Sequence, residues 1–345
     1  MGAESIREVK QAVIMVGGQG VRLRPLTNNC PKPILPILDK PCTEYFIDSL
    51  SEAGIEEIII ACGYRSQQVK DTLGDGTRQN IKIVYSYEDQ PLGTAGALKL
   101  IEDQLDDVFI MAYGDNYLEM DYDEFVEMHL NTKADITMAL SKTDNPCDFG
   151  IVGLDDEKQI IRFKEKPKPE EVFSNLFNAG VYVIDKNVLK YVPNGMMFDI
   201  SKDLIPLLMN KGGRIIGYDG VNNWMDIGKP DYFLNTNLVM ARERYGNHDW
   251  SSRTEGATVD SSYIGNDAYV KGSDMQNSVV SSGSKVEGSV LERTLILGEC
   301  SVRDCKIYES IVGKKCSIQN CELKNCIIAD NTVISDKKII EQVIE

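Results

Sequence analysis

The segment that decides the fold runs from Gln11 to Pro33 and reads QAVIMVGGQGVRLRPLTNNCPKP. Its first six residues, QAVIMV, form an apolar run of strand length, and three glycines follow within four positions: Gly17, Gly18 and Gly20. Arg22 comes next, and Lys32 stands between two prolines. Glycines let backbone N–H groups approach a ligand, and loops at strand ends of α/β sheets commonly hold phosphates. The segment therefore predicts a strand followed by an anion-binding loop.

Two familiar phosphate loops do not fit this segment. The dinucleotide pattern GxGxxG fails because Leu23 stands where a third glycine is needed after Gly18 and Gly20, and the GK[ST] of a Walker loop is absent. A plain glycine turn with arginines that face solvent is the remaining alternative. The density of glycines and cations at one strand end favours a phosphate cradle over that alternative.

Up to about residue 240 the chain alternates apolar runs of strand length with helical patterns. The runs after QAVIMV are EEIIIACG, IKIVYSY, DVFIMAYGD and ADITMALS, and helical segments such as TEYFIDSLSEAG and TAGALKLIEDQL lie between them. This alternation is typical of an α/β fold with a mostly parallel, Rossmann-like sheet. Ligands are expected beyond the carboxyl ends of its strands.

After Trp250 a repeat of sixteen residues replaces the helical patterns. From Ala268 the units read AYVKGSDMQNSVVSSG, SKVEGSVLERTLILGE, CSVRDCKIYESIVGKK and CSIQNCELKNCIIADN. Aliphatic residues recur in fixed columns, one of which holds Val270, Val286, Val302, Ile318 and Ile334. A short period with three aliphatic positions per unit predicts a parallel β-helix whose coils each have three sides.

The composition limits the classes of partner. The formal net charge is −16 at pH 7, and because nucleic acids and anionic membranes select basic surfaces, neither is expected to bind. No apolar run is close to about 20 residues long, the length that spans a bilayer, and MGAESIREVK lacks the apolar centre of a secretory signal. We therefore expect a cytoplasmic protein. The nine cysteines form no CxxC pair, which favours reduced structural thiols.

The stretch GGQGVRLRPLT followed by PKP resembles the signature of the sugar-nucleotide pyrophosphorylases, nucleotidyltransferases that join a nucleoside triphosphate to a sugar 1-phosphate. Further matches follow in order: PLGTAGAL, YGDN, FKEKP, NAGVY and WMDIGKP. The resemblance implies a nucleotidyltransferase domain over residues 8–245 and a left-handed β-helix domain over 252–345. One departure is Val21, where the family most often has a Thr or Ser hydroxyl for the triphosphate.

The implied reaction is in-line attack by a sugar-phosphate oxygen on the α-phosphorus of the triphosphate, with pyrophosphate leaving. Because two polyanions must meet, cations and a divalent metal are expected to dominate the site. The resemblance assigns Arg22 and Lys32 to catalysis. It assigns to the nucleotide the loop glycines and the turn before TAGAL: Gly17, Gly18, Gly20, Gln90 and Gly93.

In FKEKP, the resemblance assigns Glu165 to the sugar hydroxyls and Lys166 to the sugar phosphate and to catalysis. Gly150 and Asn178 are expected nearby. Without the resemblance, EKPKPE would be interpreted as a solvated charged loop.

Two aspartates are the expected ligands of Mg²⁺. Asp115 follows the apolar run DVFIMAY, and Asp226 lies in WMDIG. Mg²⁺ prefers one or two carboxylates together with substrate phosphates and water. By local pattern alone, a role in capping a turn or a helix fits each aspartate equally well, and the resemblance favours the metal.

The motifs favour one nucleoside triphosphate and one sugar 1-phosphate and leave an alternative pair open. PLGTAGAL, FKEKP and WMDIGKP are most similar to mannose-1-phosphate guanylyltransferases, which implies GTP and mannose 1-phosphate, and glucose-1-phosphate thymidylyl- or uridylyltransferase is the alternative. A non-enzyme alternative is a regulatory subunit that binds sugar nucleotides, but such a subunit would lack a loop cation or a metal aspartate. An exposed β-helix coil offers a surface for self-association, so we expect a homo-oligomer.

Overall fold

The computed structural model describes residues 9–63 and 65–345, which form two compact units. One unit holds the described chain up to Gly18 together with Thr43–Trp224. The other holds Gln19–Cys42 together with Met225–Glu345. The glycine loop is therefore divided between the units after Gly18. The domain bounds 8–245 and 252–345 stay a prediction, because each of these two compact units is built from two separate stretches of the chain.

The strands before the repeat are short and rich in Val and Ile. In chain order they are β1 (Gln11–Val16), β2 (Pro36–Ile37), β3 (Lys40–Pro41), β4 (Glu57–Cys62), β5 (Lys82–Tyr87), β6 (Val108–Tyr113), β7 (Asn116–Met120), β8 (Ile136–Lys142), β9 (Gly150–Leu154), β10 (Ile160–Glu165), β11 (Leu176–Asp185), β12 (Ile215–Tyr218) and β13 (Val221–Asp226). The α-helices among the described residues are α1 (Cys42–Glu52), α2 (Ser66–Leu73), α3 (Gly93–Leu100), α4 (Tyr122–Thr132), α5 (Ile205–Asn210) and α6 (Pro230–Tyr245). None of these helices is both long and apolar enough to cross a membrane.

A nine-stranded mixed sheet forms the core of the first unit. Seven strands lie in the order β10, β9, β11, β6, β1, β4 and β5, and β8 pairs with β11 and β12. β1 is buried along its whole length and runs parallel to both β4 and β6, while β5 runs parallel to β4. The carboxyl ends of these four strands therefore lie at one edge of the sheet.

The Rossmann-like fold predicted from the alternating pattern is confirmed, and all five apolar runs are strands of this sheet. The sheet is less parallel than its runs suggest, because β11 is antiparallel to β6, β8 and β9. β11 carries the NAGVY motif and is itself a central, almost wholly buried strand.

The β-helix is confirmed as three six-stranded parallel sheets, one for each side of the coils. The first side contains β14 (Thr254–Glu255), β17 (Tyr269–Lys271), β20 (Lys285–Glu287), β23 (Ser301–Arg303), β26 (Ser317–Gln319) and β29 (Val333–Ser335). The second contains β15 (Thr258–Asp260), β18 (Asp274–Gln276), β21 (Val290–Glu292), β24 (Lys306–Tyr308), β27 (Glu322–Lys324) and β30 (Lys338–Ile340). The third contains β16 (Tyr263–Ile264), β19 (Val279–Val280), β22 (Leu295–Ile296), β25 (Ile311–Val312), β28 (Ile327–Ile328) and β31 (Val343–Ile344).

The corners between the sides explain the small residues of the repeat. Ser284 Oγ accepts a hydrogen bond from Cys300 N at 3.1 Å, and Cys300 Sγ accepts one from Cys316 N at 3.4 Å. Each side chain thus binds the backbone one coil further on, which satisfies buried N–H groups at the turns. A cysteine here replaces a serine as a small buried acceptor, and none of the nine cysteines, all of which are described, forms a disulfide.

Candidate active site

The part of the loop after β1 that belongs to the second unit, from Gln19 onward, is organised by hydrogen bonds to the Gly20 carbonyl. Gly20 O accepts hydrogen bonds from Leu23 N at 2.9 Å and from Thr27 Oγ1 at 2.8 Å. These bonds close a single 3₁₀ turn, Val21–Leu23, that buries Leu23 and exposes Arg22. The arginine predicted to be catalytic therefore stands on a fixed turn with its side chain in reach of a ligand.

Lys32 begins a second 3₁₀ turn, Lys32–Ile34, and its ammonium lies 3.6 Å from Asp226 Oδ1. Gly228 N donates to the same oxygen at 2.8 Å. A Cβ placed on Gly228 would lie 3.0 Å from Arg22 Nη2 and 2.7 Å from Asp226 Oδ2, so the guanidinium is close to this carboxylate. The second unit thus brings together Arg22, Lys32 and Asp226, so that two cationic side chains lie close to one another.

In the first unit, the loops after β1, β4 and β5 meet at the carboxyl edge of the sheet. A Cβ on Gly63 would lie 3.3 Å from Gly17 Cα, and a Cβ on either glycine would lie 3.8 Å from Glu88 Oε1. The other carboxylate oxygen of Glu88 accepts a hydrogen bond from Leu92 N at 2.7 Å. Glu88 therefore connects the strand-end loops to the turn predicted to contact the base. Sequence reasoning missed this residue, although it lies two positions before Gln90 in the same motif.

The turn before α3 requires glycine at position 93. Gly93 has a φ of 71°, and a Cβ there would lie 2.8 Å from Phe198 O. The same oxygen accepts hydrogen bonds from Ala95 N and Gly96 N, both at 2.9 Å. The first turn of α3 is thus bound to the Phe198 backbone, while Gln90 is exposed and available to a ligand.

Gly150, Glu165 and Lys166, which the resemblance assigns to the sugar phosphate, lie close together in the first unit. Gly150 and Glu165 are partners in the β9–β10 ladder, and a Cβ on Gly150 would lie 2.6 Å from Glu165 Oε2. Lys166 follows with a φ of 44° and donates from its backbone N to Phe149 O at 3.0 Å. Burial raises the pKa of the Glu165 carboxyl above its usual value, and the charges of Lys166 and Lys202 oppose that rise.

Asn178 lies on β11, next to the strand that carries Gly150, because Phe177 pairs with Ile151. Its amide donates to Tyr182 Oη at 2.5 Å and to Ser201 Oγ at 3.4 Å. Ser201 belongs to a π-helix, Ile200–Leu204, a rare element that is frequent at functional sites. Sequence reasoning missed the π-helix because no residue pattern marks one.

The two predicted metal ligands belong to different units: Asp115, half-buried after β6, to the first and Asp226 to the second. Two carboxylates completed by substrate phosphates and water are the donor set that Mg²⁺ prefers, so the chemistry of these residues fits the ion. Among residues 9–63 and 65–345, no group of three or more His, Cys, Asp or Glu side chains could hold a metal. The shared magnesium site stays a prediction.

Comparison with known proteins gives two family matches. The nucleotidyl transferase model matches residues 11–243, and the model of a GlmU-like C-terminal hexapeptide region matches residues 248–322 and 266–344. A UTP–glucose-1-phosphate uridylyltransferase of Synechocystis sp. is 33% identical over 249 residues, which cover 68% of this chain and 64% of that protein. A mannose-1-phosphate guanylyltransferase of Mycobacterium tuberculosis is 33% identical over 233 residues, covering 67% and 64%.

A solved structure extends the similarity to the fold. The protein, from Bacillus anthracis and provisionally named a glucose-1-phosphate thymidylyltransferase, superposes with a TM-score of 0.61 at 27% identity. The superposition covers 66% of this chain and 94% of that one. The chain spans 64% of the length of each of the two curated relatives.

Proposed function

Because the chain belongs to the nucleotidyl transferase family, we propose that it transfers a nucleotidyl group from a nucleoside triphosphate to a sugar 1-phosphate. A phosphate oxygen of the sugar 1-phosphate attacks the α-phosphorus, the bond from that phosphorus to the bridging oxygen breaks, and pyrophosphate leaves. The observation that carries the proposal is the placement of Arg22 and Lys32 around Asp226. In a chain of net charge −16, two cationic side chains placed together are suited to a polyphosphate.

The triphosphate is proposed to bind the glycine loop, with backbone N–H groups of the loop glycines and the side chains of Arg22 and Lys32 as donors. Gln90 and Gly93 are proposed to contact the base, since an amide both donates and accepts and a glycine admits a flat ring. Charge develops on the phosphate oxygens in the transition state, and cations fixed beforehand stabilise it without reorganising.

The sugar 1-phosphate is proposed to bind in the first unit. The Glu165 carboxylate accepts hydrogen bonds from sugar hydroxyls, the Lys166 ammonium pairs with the phosphate, and Asn178 with Gly150 completes the site. The close approach of Glu165 to Gly150 supports this assignment, as does the charge of Lys166, which acts on the Glu165 carboxyl and opposes the rise in its pKa that burial causes. Asp115 and Asp226 are the proposed holders of Mg²⁺, which neutralises phosphate charge when bound.

For the base and the sugar, we propose GTP and mannose 1-phosphate, on the similarity of PLGTAGAL and WMDIGKP to the guanylyltransferases. The uridylyltransferase of Synechocystis sp. has the same 33% identity as the guanylyltransferase of M. tuberculosis, which keeps UTP and glucose 1-phosphate as the second candidate. A change in one contact can redirect either choice. Self-association through the β-helix and a cytoplasmic location stay predictions.

A substrate matrix tests the proposal. Five nucleoside triphosphates are combined with glucose, mannose and N-acetylglucosamine 1-phosphates in the presence of Mg²⁺, and pyrophosphate release is measured, with Arg22→Ala as the impaired control. We expect release that requires both substrates and is fastest with GTP and mannose 1-phosphate. Binding of a sugar nucleotide without release in any combination would instead identify the regulatory-subunit alternative.

A further inference from the structure

A short hairpin links Lys32 to the rest of the second unit. β2 and β3 follow the 3₁₀ turn of Lys32 and pair Pro36 with Pro41 and Ile37 with Lys40. The base of the hairpin is closed by a bond from Cys42 N to Leu35 O at 3.0 Å. Leu35 and Ile37 are buried, so the hairpin and the turn of Lys32 form one packed segment.

The tip of this hairpin is bound to the β-helix through Asp39. Asp39 Oδ2 accepts hydrogen bonds from Tyr263 Oη at 2.9 Å and from Ser282 Oγ at 2.6 Å, and Oδ1 accepts one from Ser282 N at 2.9 Å. Hydrogen bonds to an ionised carboxylate are roughly twice as strong as neutral ones. Gly265 leaves the room that the carboxylate occupies, because a Cβ there would lie 2.2 Å from Asp39 Oδ2. We call Asp39, Tyr263 and Ser282 the hairpin anchor.

Tyr263 is itself held in a fixed position. Its ring packs on Tyr245 with centroids 4.8 Å apart and on Trp250 at 5.7 Å, and it is only 8% exposed. Burial and the adjacent Asp39 charge raise the pKa of Tyr263 above its usual value, so the hydroxyl remains a donor. The anchor therefore joins the hairpin to a rigid part of the first coil.

Helix α6 supplies a second connection, between the hairpin and the segment that carries Asp226. Asn237 Oδ1 accepts a hydrogen bond from Leu38 N at 2.6 Å, beside Asp39 at the hairpin tip. The preceding residue, Thr236, donates from Oγ1 to Asp226 O at 3.0 Å. Both α6 side chains are buried. Adjacent residues of one helix thus hold the two segments that carry Lys32 and Asp226.

We propose that Asp39 is a positioning residue for the nucleotidyl transfer: by fixing the hairpin to the β-helix, it sets Lys32 and Arg22 relative to Asp226. The β-helix then contributes to the reaction by supporting Arg22 and Lys32, the cations proposed to bind the triphosphate. A misplacement of about 1 Å in a reacting group costs up to roughly 10²-fold in rate, so a partly loosened hairpin has a measurable effect. The kinetic effect rests on the proposed function, whereas the structural effect on the loop does not.

The test uses the full chain with Asp39→Ala, Asp39→Asn, Tyr263→Phe and the double variant Asp39→Ala/Tyr263→Phe. Asp260→Asn is the matched control, because Asp260 is an exposed carboxylate of the same coil whose side chain accepts a hydrogen bond from its neighbour Ser261. We expect Asp39→Ala to lower kcat about tenfold, Asp39→Asn and Tyr263→Phe to lower it less, and the double variant to match Asp39→Ala, as for groups that act as one unit.

Two readouts separate positioning from general loss of stability. KM for the sugar 1-phosphate should stay within about twofold, because Glu165 and Lys166 belong to the other unit. Amide hydrogen exchange over residues 20–35 should be faster in Asp39→Ala while the strands of the nine-stranded sheet exchange as in the unaltered chain.

Wild-type kcat and unchanged loop exchange in Asp39→Ala would overturn the proposal, as would an equal loss in Asp260→Asn or a parallel rise in KM for the sugar 1-phosphate. If the unaltered chain releases no pyrophosphate, the proposed function fails, and the exchange of the loop alone decides whether the anchor holds it.

Discussion

Lys32 Nζ lies 3.6 Å from Asp226 Oδ1, and the two side chains are 9% and 17% exposed. Ion pairs this far removed from water are little screened by salt, and the loss of one partner removes a compensating charge from the other. The pair therefore contributes to the stability of the second unit as well as to the proposed chemistry.

Replacing Lys32 by Met keeps the aliphatic stem and removes the ammonium. We expect kcat/KM to fall on the order of 10²-fold and the free energy of unfolding to fall by about 2 kcal/mol. Pyrophosphate release and urea unfolding measure the two effects. Lys158→Met is the matched control, because the Lys158–Asp219 pair spans 2.8 Å but is about half exposed and should contribute little. Equal costs in both variants would contradict the reasoning.

The shared magnesium site predicts a non-additive result. Asp115→Asn and Asp226→Asn should each abolish metal-dependent turnover, since an amide keeps the shape but loses the charge that binds a hard cation. The double variant should be little worse than either single one, because both residues would serve one ion. Turnover is titrated against Mg²⁺ concentration in all three. A normal Mg²⁺ requirement in Asp226→Asn beside an inactive Asp115→Asn would exclude a shared site.

Glu165 predicts a specific dependence on pH. Burial raises the pKa of its carboxyl, and protonation removes the negative charge and turns one of the two acceptor oxygens into an O–H donor. KM for the sugar 1-phosphate should therefore rise as pH falls through that raised pKa, beginning above the usual titration range of Glu. Glu165→Gln should have a raised KM at all pH values and no such limb, with KM for the nucleoside triphosphate little changed. If KM for the sugar 1-phosphate depends on pH in the same way in the unaltered chain and in Glu165→Gln, the rise at low pH belongs to another group.

His129 predicts loss of stability in mild acid. It is 3% exposed, Nδ1 lies 3.0 Å from Thr137 Oγ1, and burial lowers the pKa of its ring from 6.5 to about 4. In the unfolded chain the ring is protonated below pH 6.5, whereas in the folded chain it is protonated only below about pH 4. Because the unfolded chain binds more protons between these two pH values, the free energy of unfolding falls by about 3 kcal/mol as the pH is lowered through that window.

His129→Asn keeps a group that can bind Thr137 but does not titrate. Urea unfolding of both proteins between pH 7 and 4.5 should show a flatter dependence for the variant. An identical slope in the two proteins would show that other groups, such as the carboxylates, cause the acid sensitivity.

Local and periodic features were predictable from the sequence. The sixteen-residue period places Val270 opposite Val286, because parallel coils stack in register and each buried column repeats its chemistry. Glu165 and Lys166 lie together because they are adjacent in the chain, and their assignment to the sugar phosphate came from the resemblance of FKEKP to the family's motif. Such signals need only neighbours or a fixed spacing.

Contacts between distant segments were not predictable in this way. Asp39 stands in a two-residue hairpin turn, where Asp is common for local reasons, and nothing in the sequence around it indicates Tyr263 or Ser282. Glu88 was missed for the same reason, since its role depends on loops after three separate strands. The chemistry of each residue could be interpreted locally, but its partner is set by the fold.

Asp39 and Ser282 are separated by 243 residues, so the ribosome makes them at different times. A ribosome adds roughly 5–20 residues per second, so about 12 to 50 s pass between the synthesis of the hairpin and that of its anchor on the second coil. All strands of the nine-stranded sheet have been made by Tyr218, before any coil exists. The growing chain therefore completes the residues proposed to bind the sugar phosphate first, and Arg22 and Lys32, proposed to bind the triphosphate, acquire their final support only near the end of translation.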